Sequence, residues 1–122
     1  MPATLQSGDV TIRASTVPTL QLGAAAADQY GIERDAGTIL LLVGVRRGAA
    51  EHTSLPARVT ASATDLLGRR QAIVLREVRS GGFIDYAGTA TLSPPETLRF
   101  DVVVDRDGAA RESLRFSRDF FP

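Results

Sequence analysis

Apolar and polar residues alternate along most of this chain, and the one stretch that does not alternate organises the rest. Between Gly37 and Gly48 the residues read Thr-Ile-Leu-Leu-Leu-Val-Gly-Val-Arg-Arg, the longest apolar run in the protein. A run this short, bounded by glycines and rich in strand-forming residues, predicts a strand buried on both faces. Ile39, Leu41, Val43 and Val45 would form one face, with Leu40, Leu42 and Gly44 on the other.

The remaining segments read as partners for that strand. From Asp9 to Val17, Val10, Ile12 and Ala14 alternate with Thr11, Arg13 and Ser15, the pattern of a half-buried strand closed by Pro18. Thr19 to Ile32 is the place where a helix fits: Ala24 to Ala27 are strong helix formers and Gly31 is placed as a left-handed C-terminal cap. At about two turns such a helix is marginal alone and must dock through Leu20, Leu22, Tyr30 or Ile32. Docked over the central strand, it would be a lid covering Leu40 and Leu42.

Arg47 to Pro56 reads as a polar loop, Arg58 to Asp65 as a strand and Asp65-Leu66-Leu67-Gly68 as a turn. Arg70 to Arg79 is predicted to be one strand, Ser80-Gly81-Gly82 a tight hairpin and Phe83 to Thr91 the returning strand. Ser93-Pro94-Pro95-Glu96 interrupts the ladder, because proline has no N–H to donate. Leu98, Phe100, Val102 and Val104 then alternate cleanly; Asp105-Arg106-Asp107-Gly108 turns, and Arg111 to Phe121 closes with Leu114, Phe116 and Phe120 inward. The sum is an all-β protein: an immunoglobulin-like antiparallel β-sandwich of about seven strands, with one short helix between the first and second strands.

At 122 residues the chain suits a single domain spanning 1–122, long enough to bury roughly two thirds of its unfolded surface. Lys+Arg and Asp+Glu both total 14, so no net field recruits nucleic acid or an anionic surface. Every basic residue is an arginine, and there is no cysteine to make a disulfide, a thiolate nucleophile or a sulfur-bound zinc site. No run reaches the length of a membrane span, and the first residues, Met-Pro-Ala-Thr-Leu-Gln-Ser-Gly, lack the pattern of a secretory signal.

Enzyme signatures are missing as well. His52, the one histidine, stands beside Glu51, Thr53 and Ser54 on a loop, whereas catalytic partners normally meet from distant parts of a chain. The turn at Asp105 to Gly108 does not extend into a calcium loop, because the first ligand position would fall on Val103. No catalytic residue, metal ligand or cofactor is therefore assigned. The densest polar cluster is Arg76, Glu77 and Arg79 facing Asp85 and Tyr86 across the predicted hairpin, where cross-strand ion pairs or a recognition surface would form.

The order of Tyr30-Gly31-Ile32, Asp65-Leu66-Leu67-Gly68, Leu75-Arg76-Glu77-Val78, Phe83-Ile84-Asp85-Tyr86, Leu98-Arg99-Phe100-Asp101 and the segment Phe116 to Phe121 resembles the family catalogued as domain of unknown function 4426. That resemblance implies a small protein of Gram-negative bacteria made with a leader that is later removed, hence a periplasmic location. It carries over no catalytic residue. The expectation is a non-enzymatic module, monomeric or weakly homodimeric, that binds a protein or envelope component through a sheet face or an edge strand, with no membrane insertion and no nucleic acid. Tyr30, Arg76, Glu77, Arg79, Asp85 and Tyr86 are the candidate binding residues. A second expectation is a small-ligand carrier or enzyme with a pocket under the helix at 19–32, near Tyr30 and Tyr86.

Overall fold

The computed structural model describes residues 2–122. Among them ten strands form: β1 (Ala3–Ser7), β2 (Val10–Pro18), β3 (Thr38–Arg47), β4 (Thr53–Ser54), β5 (Arg58–Asp65), β6 (Arg70–Ile73), β7 (Arg76–Ser80), β8 (Phe83–Thr91), β9 (Glu96–Asp105) and β10 (Glu112–Phe120). A 3-10 turn at Thr19–Gln21 and helix α1 (Ala24–Tyr30) lie between β2 and β3. One antiparallel sheet has the order β1-β2-β3-β8-β7, with β4 paired to β3; the other has the order β10-β9-β5-β6. The all-β class holds, and so does the single short helix.

The central strand lies where the apolar run predicts. Ile39, Leu41, Val43 and Val45 are each at most 1% exposed and share one hydrophobic cluster with Leu98, Phe100, Val102 and Val104 of β9. The sheets are thus held face to face by side chains from strands far apart in sequence. Phe100 is the largest of them: its ring stacks on Phe116 at 5.2 Å and meets Phe120 edge-on at 6.3 Å.

Three details differ from expectation. Ala3 to Ser7, ahead of the first predicted strand, make β1, which pairs with β2 from Ala3↔Ala14 to Ser7↔Val10. The helix consequently follows the second strand. More consequential is the segment Arg70 to Arg79, which is two strands: β6 pairs with β5 in one sheet and β7 with β8 in the other. Val74 and Leu75 carry the chain across, and Gly88 of β8 makes room, because a Cβ there would overlap the Val74 carbonyl and crowd Ile73 and Leu75. Val74 is therefore 85% exposed, although alternation places it on a sheet face. The pattern of side chains reports which face a residue prefers and is silent about a strand that changes sheets.

Turn chemistry matches its sequence signals. Gly81 and Gly82 both take positive φ, 56° and 83°, the two-residue hairpin conformation that only glycine adopts freely. At the β5–β6 turn, Asp65 Oδ1 accepts the backbone N–H groups of Leu67 and Arg69, both at 2.9 Å, and Arg69 Nε donates to Oδ2 at 2.7 Å.

Truncating Phe100 to alanine should cost about 3–5 kcal/mol in urea denaturation; a loss below about 1 kcal/mol would show that its place between the sheets adds little. The hydrogen bonds at the turn, that from the Arg69 backbone first, hold the Asp65 carboxyl below its ordinary range. Because the folded pKa is the lower one, this contribution is complete above the unfolded carboxylate range and fades as pH falls through the folded pKa. The melting-temperature gap between the wild type and Asp65→Asn should therefore be widest near neutrality and narrow on acidification. A gap that stays constant would mean the charge does not hold the turn.

Candidate functional site

The end of the helix lies beside the outer face of the sheet. Gly31 ends α1 with φ 67°, its N–H donating to Asp28 at 3.1 Å while Ile32 N–H reaches back to Ala27 at 2.9 Å, the paired bonds of a Schellman cap. In the β3–β8 register Leu40 faces Thr89 and Leu42 faces Ala87, on the side away from the intersheet core. Tyr30, Gly31, Ile32 and Glu33 line an open recess of about 340 Å³ with Thr38, Ala87 and Thr89 of that face and with Val74 and Arg76 from the crossing segment. Leu40 is fully buried beneath this layer, whereas Leu42 is only partly covered. The Arg76 guanidinium donates to the Tyr30 carbonyl and lies where any side chain at position 31 would run into it. Arg76 thereby ties the crossing segment to the end of the helix.

The six candidate binding residues do not come together. Tyr30 and Arg76 meet at the lid. Tyr86 points the opposite way: it is 6% exposed, belongs to the intersheet core, and its hydroxyl accepts the Ala57 N–H at 2.7 Å. It is thus absent from the cavity predicted beside it, since Tyr86 pairs with Val43 and shares that residue's inward face. Glu77 and Arg79 pair with each other at 2.6 Å on the exposed edge strand β7. Asp85 faces Val78 across the hairpin, and its ion pair is with Arg46 of β3, at 2.7 Å.

Sequence reasoning missed the network this last pair belongs to. Arg46 also donates to the Ile84 carbonyl at 2.7 Å and lies 5.1 Å from the Phe83 ring centre. Gly44 leaves space for the Arg46 guanidinium and the Asp85 carboxylate, both within about 3.3 Å of where its Cβ would be. Nearby, Arg13 grips Glu51 through two bonds of 2.7 and 2.6 Å, which hold the Glu51 carboxyl below and the Arg13 guanidinium above their ordinary ranges. Among the described residues Glu51 is the non-glycine one with positive φ, 52°. Its neighbour His52 is exposed on the loop.

A mainly apolar concavity lies at one end of the two sheets. Pro18 and Leu20 on one side, Pro94 on another and Phe121 on a third surround a groove of about 380 Å³ whose floor is Ile39, Leu92 and Phe120, residues of the core itself. Leu20 is 50% and Phe121 77% exposed. The β5–β6 turn, with Leu66 and Leu67 both in solvent, stands at this same end, because Asp65 pairs with Leu98 and Glu96, two residues further, pairs with Phe120.

Among solved structures, a crystal structure of a DUF4426 family protein from Pseudomonas aeruginosa PAO1 superposes with a TM-score of 0.84 at 24% identity, covering 99% of this chain and 95% of that one. FetP of uropathogenic Escherichia coli strain F11, expressed recombinantly in the periplasm, matches with a TM-score of 0.67 at 7% identity over 99% and 95% of the two chains. A copper-bound glutamate-to-glutamine variant of FetP gives 0.60 at 8% identity over 98% and 94%. At these identities the likeness is one of fold. No curated protein matches the chain. A match over residues 4–122 to the family described as Domain of unknown function (DUF4426) takes in nearly all of the sequence, and the chain belongs to that family.

Proposed function

We propose that this protein is a non-enzymatic, periplasmic, immunoglobulin-like binding module that receives an apolar segment of another envelope protein in the groove between Leu20, Pro94 and Phe121. The observation that carries this reading is the groove itself: exposed large apolar side chains gathered over an opening in the core, a combination that marks interaction sites on folded proteins. Its volume suits one or two apolar side chains of a partner.

Electrostatics supports binding over catalysis. A general acid or base needs a carboxylate or imidazole free to exchange a proton, and here Glu51, Asp65, Asp85 and Asp101 are committed to arginines at 2.5–2.7 Å. One structural neighbour is copper-bound. The residues of this chain do not fit such a group: it has one histidine and no cysteine, and no three His, Cys, Asp or Glu side chains converge among the described residues. The periplasmic assignment rests on the family resemblance and is supported by the compartment in which FetP was produced. No helix of the described residues is long and apolar enough to cross a membrane.

The cavity beneath α1 is the alternative site, favoured by its position under the predicted lid. Its walls include the solvent-exposed Val74 and Glu33, so it is an open recess, whereas small-ligand sites enclose most of their ligand.

A photo-crosslinking residue placed at Leu20 should, in the envelope of a producing cell, give a discrete protein adduct that disappears when Phe121→Asp is added. The same probe at Asp107, in the turn at the opposite end, should give none. Equal labelling from both positions would rule the groove out as the binding site.

A further inference from the structure

The last strand is a long open edge. Among the described residues β10 pairs only with β9; it also touches β1, with Ser7 donating to Glu112 at 2.8 Å. Over its nine residues the backbone groups that point away from β9 have no strand partner, which makes β10 a template for one more strand. Its inward side chains Leu114 and Phe116 are only half-buried, while Leu98, Phe100, Val102 and Val104 beside them on β9 are at most 2% exposed. The core is therefore unfinished along this side.

We propose that the occupant of this edge is the β10 strand of a second copy, paired antiparallel about a twofold axis at Ser117, so that the four-stranded sheet continues as an eight-stranded one across the dimer. The residues select the register. Antiparallel pairing about a residue sets position i against 234 − i, so Arg115 falls opposite Asp119, Phe116 opposite Arg118 and Leu114 opposite Phe120, each pair occurring twice in an isologous contact. Opposite charges meet on the exposed face. On the inward face apolar groups meet apolar groups or an arginine that already lies over an aromatic ring, since Arg118 stands 4.8 Å from the centre of Phe116 in its own chain. Directly opposed cross-strand pairs of these kinds are the stabilising ones.

Neighbouring registers fail for stated reasons. An axis at Arg115 or Arg118 would set that arginine against its own copy, and like charges directly opposed are destabilising. An axis at Phe116 would put Arg118 against Leu114 and leave Arg115 facing Ser117. Registers shifted by one residue would turn the inward face of one copy toward solvent. The groups needed are within reach: Asp119 uses one oxygen for Thr97 at 2.6 Å and keeps acceptor capacity, and Asp101, now bound by Arg115 at 2.5 Å, retains Arg99 at 3.5 Å if Arg115 turns outward.

Sedimentation velocity across a concentration series tests this together with charge exchange at the two exposed positions. The wild type should show a monomer–dimer equilibrium. Arg115→Asp and Asp119→Arg should each weaken it by at least about tenfold, by setting like charges opposite one another, and the double exchange should restore it. Because the chain has no cysteine, Ser117→Cys should crosslink between copies on mild oxidation, whereas Ser113→Cys, whose opposite position lies past the strand end, should not. A wild type that is monomeric at every concentration, single exchanges that leave the equilibrium unchanged, or a double exchange that does not recover would each overturn the proposal. Circular dichroism of each variant separates loss of pairing from loss of fold. The groove at Leu20 and Phe121 is tested by its own crosslink and can stand or fall separately.

Discussion

The structure depends on β3 being buried on both faces. A strand at the middle of a sheet that also meets a second sheet needs one apolar face; β3 has two. Its inward face, Ile39 to Val45, shares the intersheet cluster with Phe100 and its neighbours on β9, and burial of that apolar surface stabilises the pairing of the sheets. On the outer face Leu40 is fully buried yet lies outside the intersheet cluster. The end of α1 and the segment where the chain changes sheets meet beside that face, tied by the bond from Arg76 to the Tyr30 carbonyl, and a helix this short depends on such tertiary contacts to persist.

Much of this arrangement is legible in the sequence, because alternation and turn chemistry are local. The strands at 9–17, 37–48, 83–91 and 98–104, the Gly31 cap and the Gly81-Gly82 hairpin all follow from spacing and from residues with restricted φ. One thing is not local: whether Arg70 to Arg79 remains in one sheet depends on Gly88, on the strand after the hairpin, leaving space for the Val74 carbonyl. Ala3 to Ser7 is different, because Gly8-Asp9 joins it to β2 by a two-residue turn, with Ser7 paired to Val10 and Gly8 at positive φ, a local hairpin signal as readable as Gly81-Gly82.

The candidate site was less legible for the same reason. Tyr30 and Arg76 share the lid, but Tyr86 faces the core and Asp85 belongs with Arg46. Adjacent residues on a strand point to opposite faces, so a dense run of polar residues in sequence is divided between two surfaces in the fold. The parity of Asp85 and Tyr86 contained that division. The groove at Leu20 and Phe121 had a weaker signal: Phe121 follows the inward Phe120 and so falls on the opposite, solvent-facing parity.

Charge explains which surfaces are open to partners. Fourteen arginines and fourteen carboxylates cancel, and many pair at short range on the outer faces: Arg13 with Glu51, Arg46 with Asp85, Arg58 with Asp107, Arg115 with Asp101. A paired, neutral face gives up two hydrated ions when a partner covers it and regains little, because exposed ion pairs are worth about 0–1 kcal/mol and their desolvation can cost more. An apolar opening carries no such cost, and at the β10 edge Arg115 exchanges the Asp101 carboxylate for one on the partner instead of losing its counter-ion. The sheet faces are therefore the poorer binding surfaces of this molecule, and the end groove and the β10 edge are where association can gain free energy.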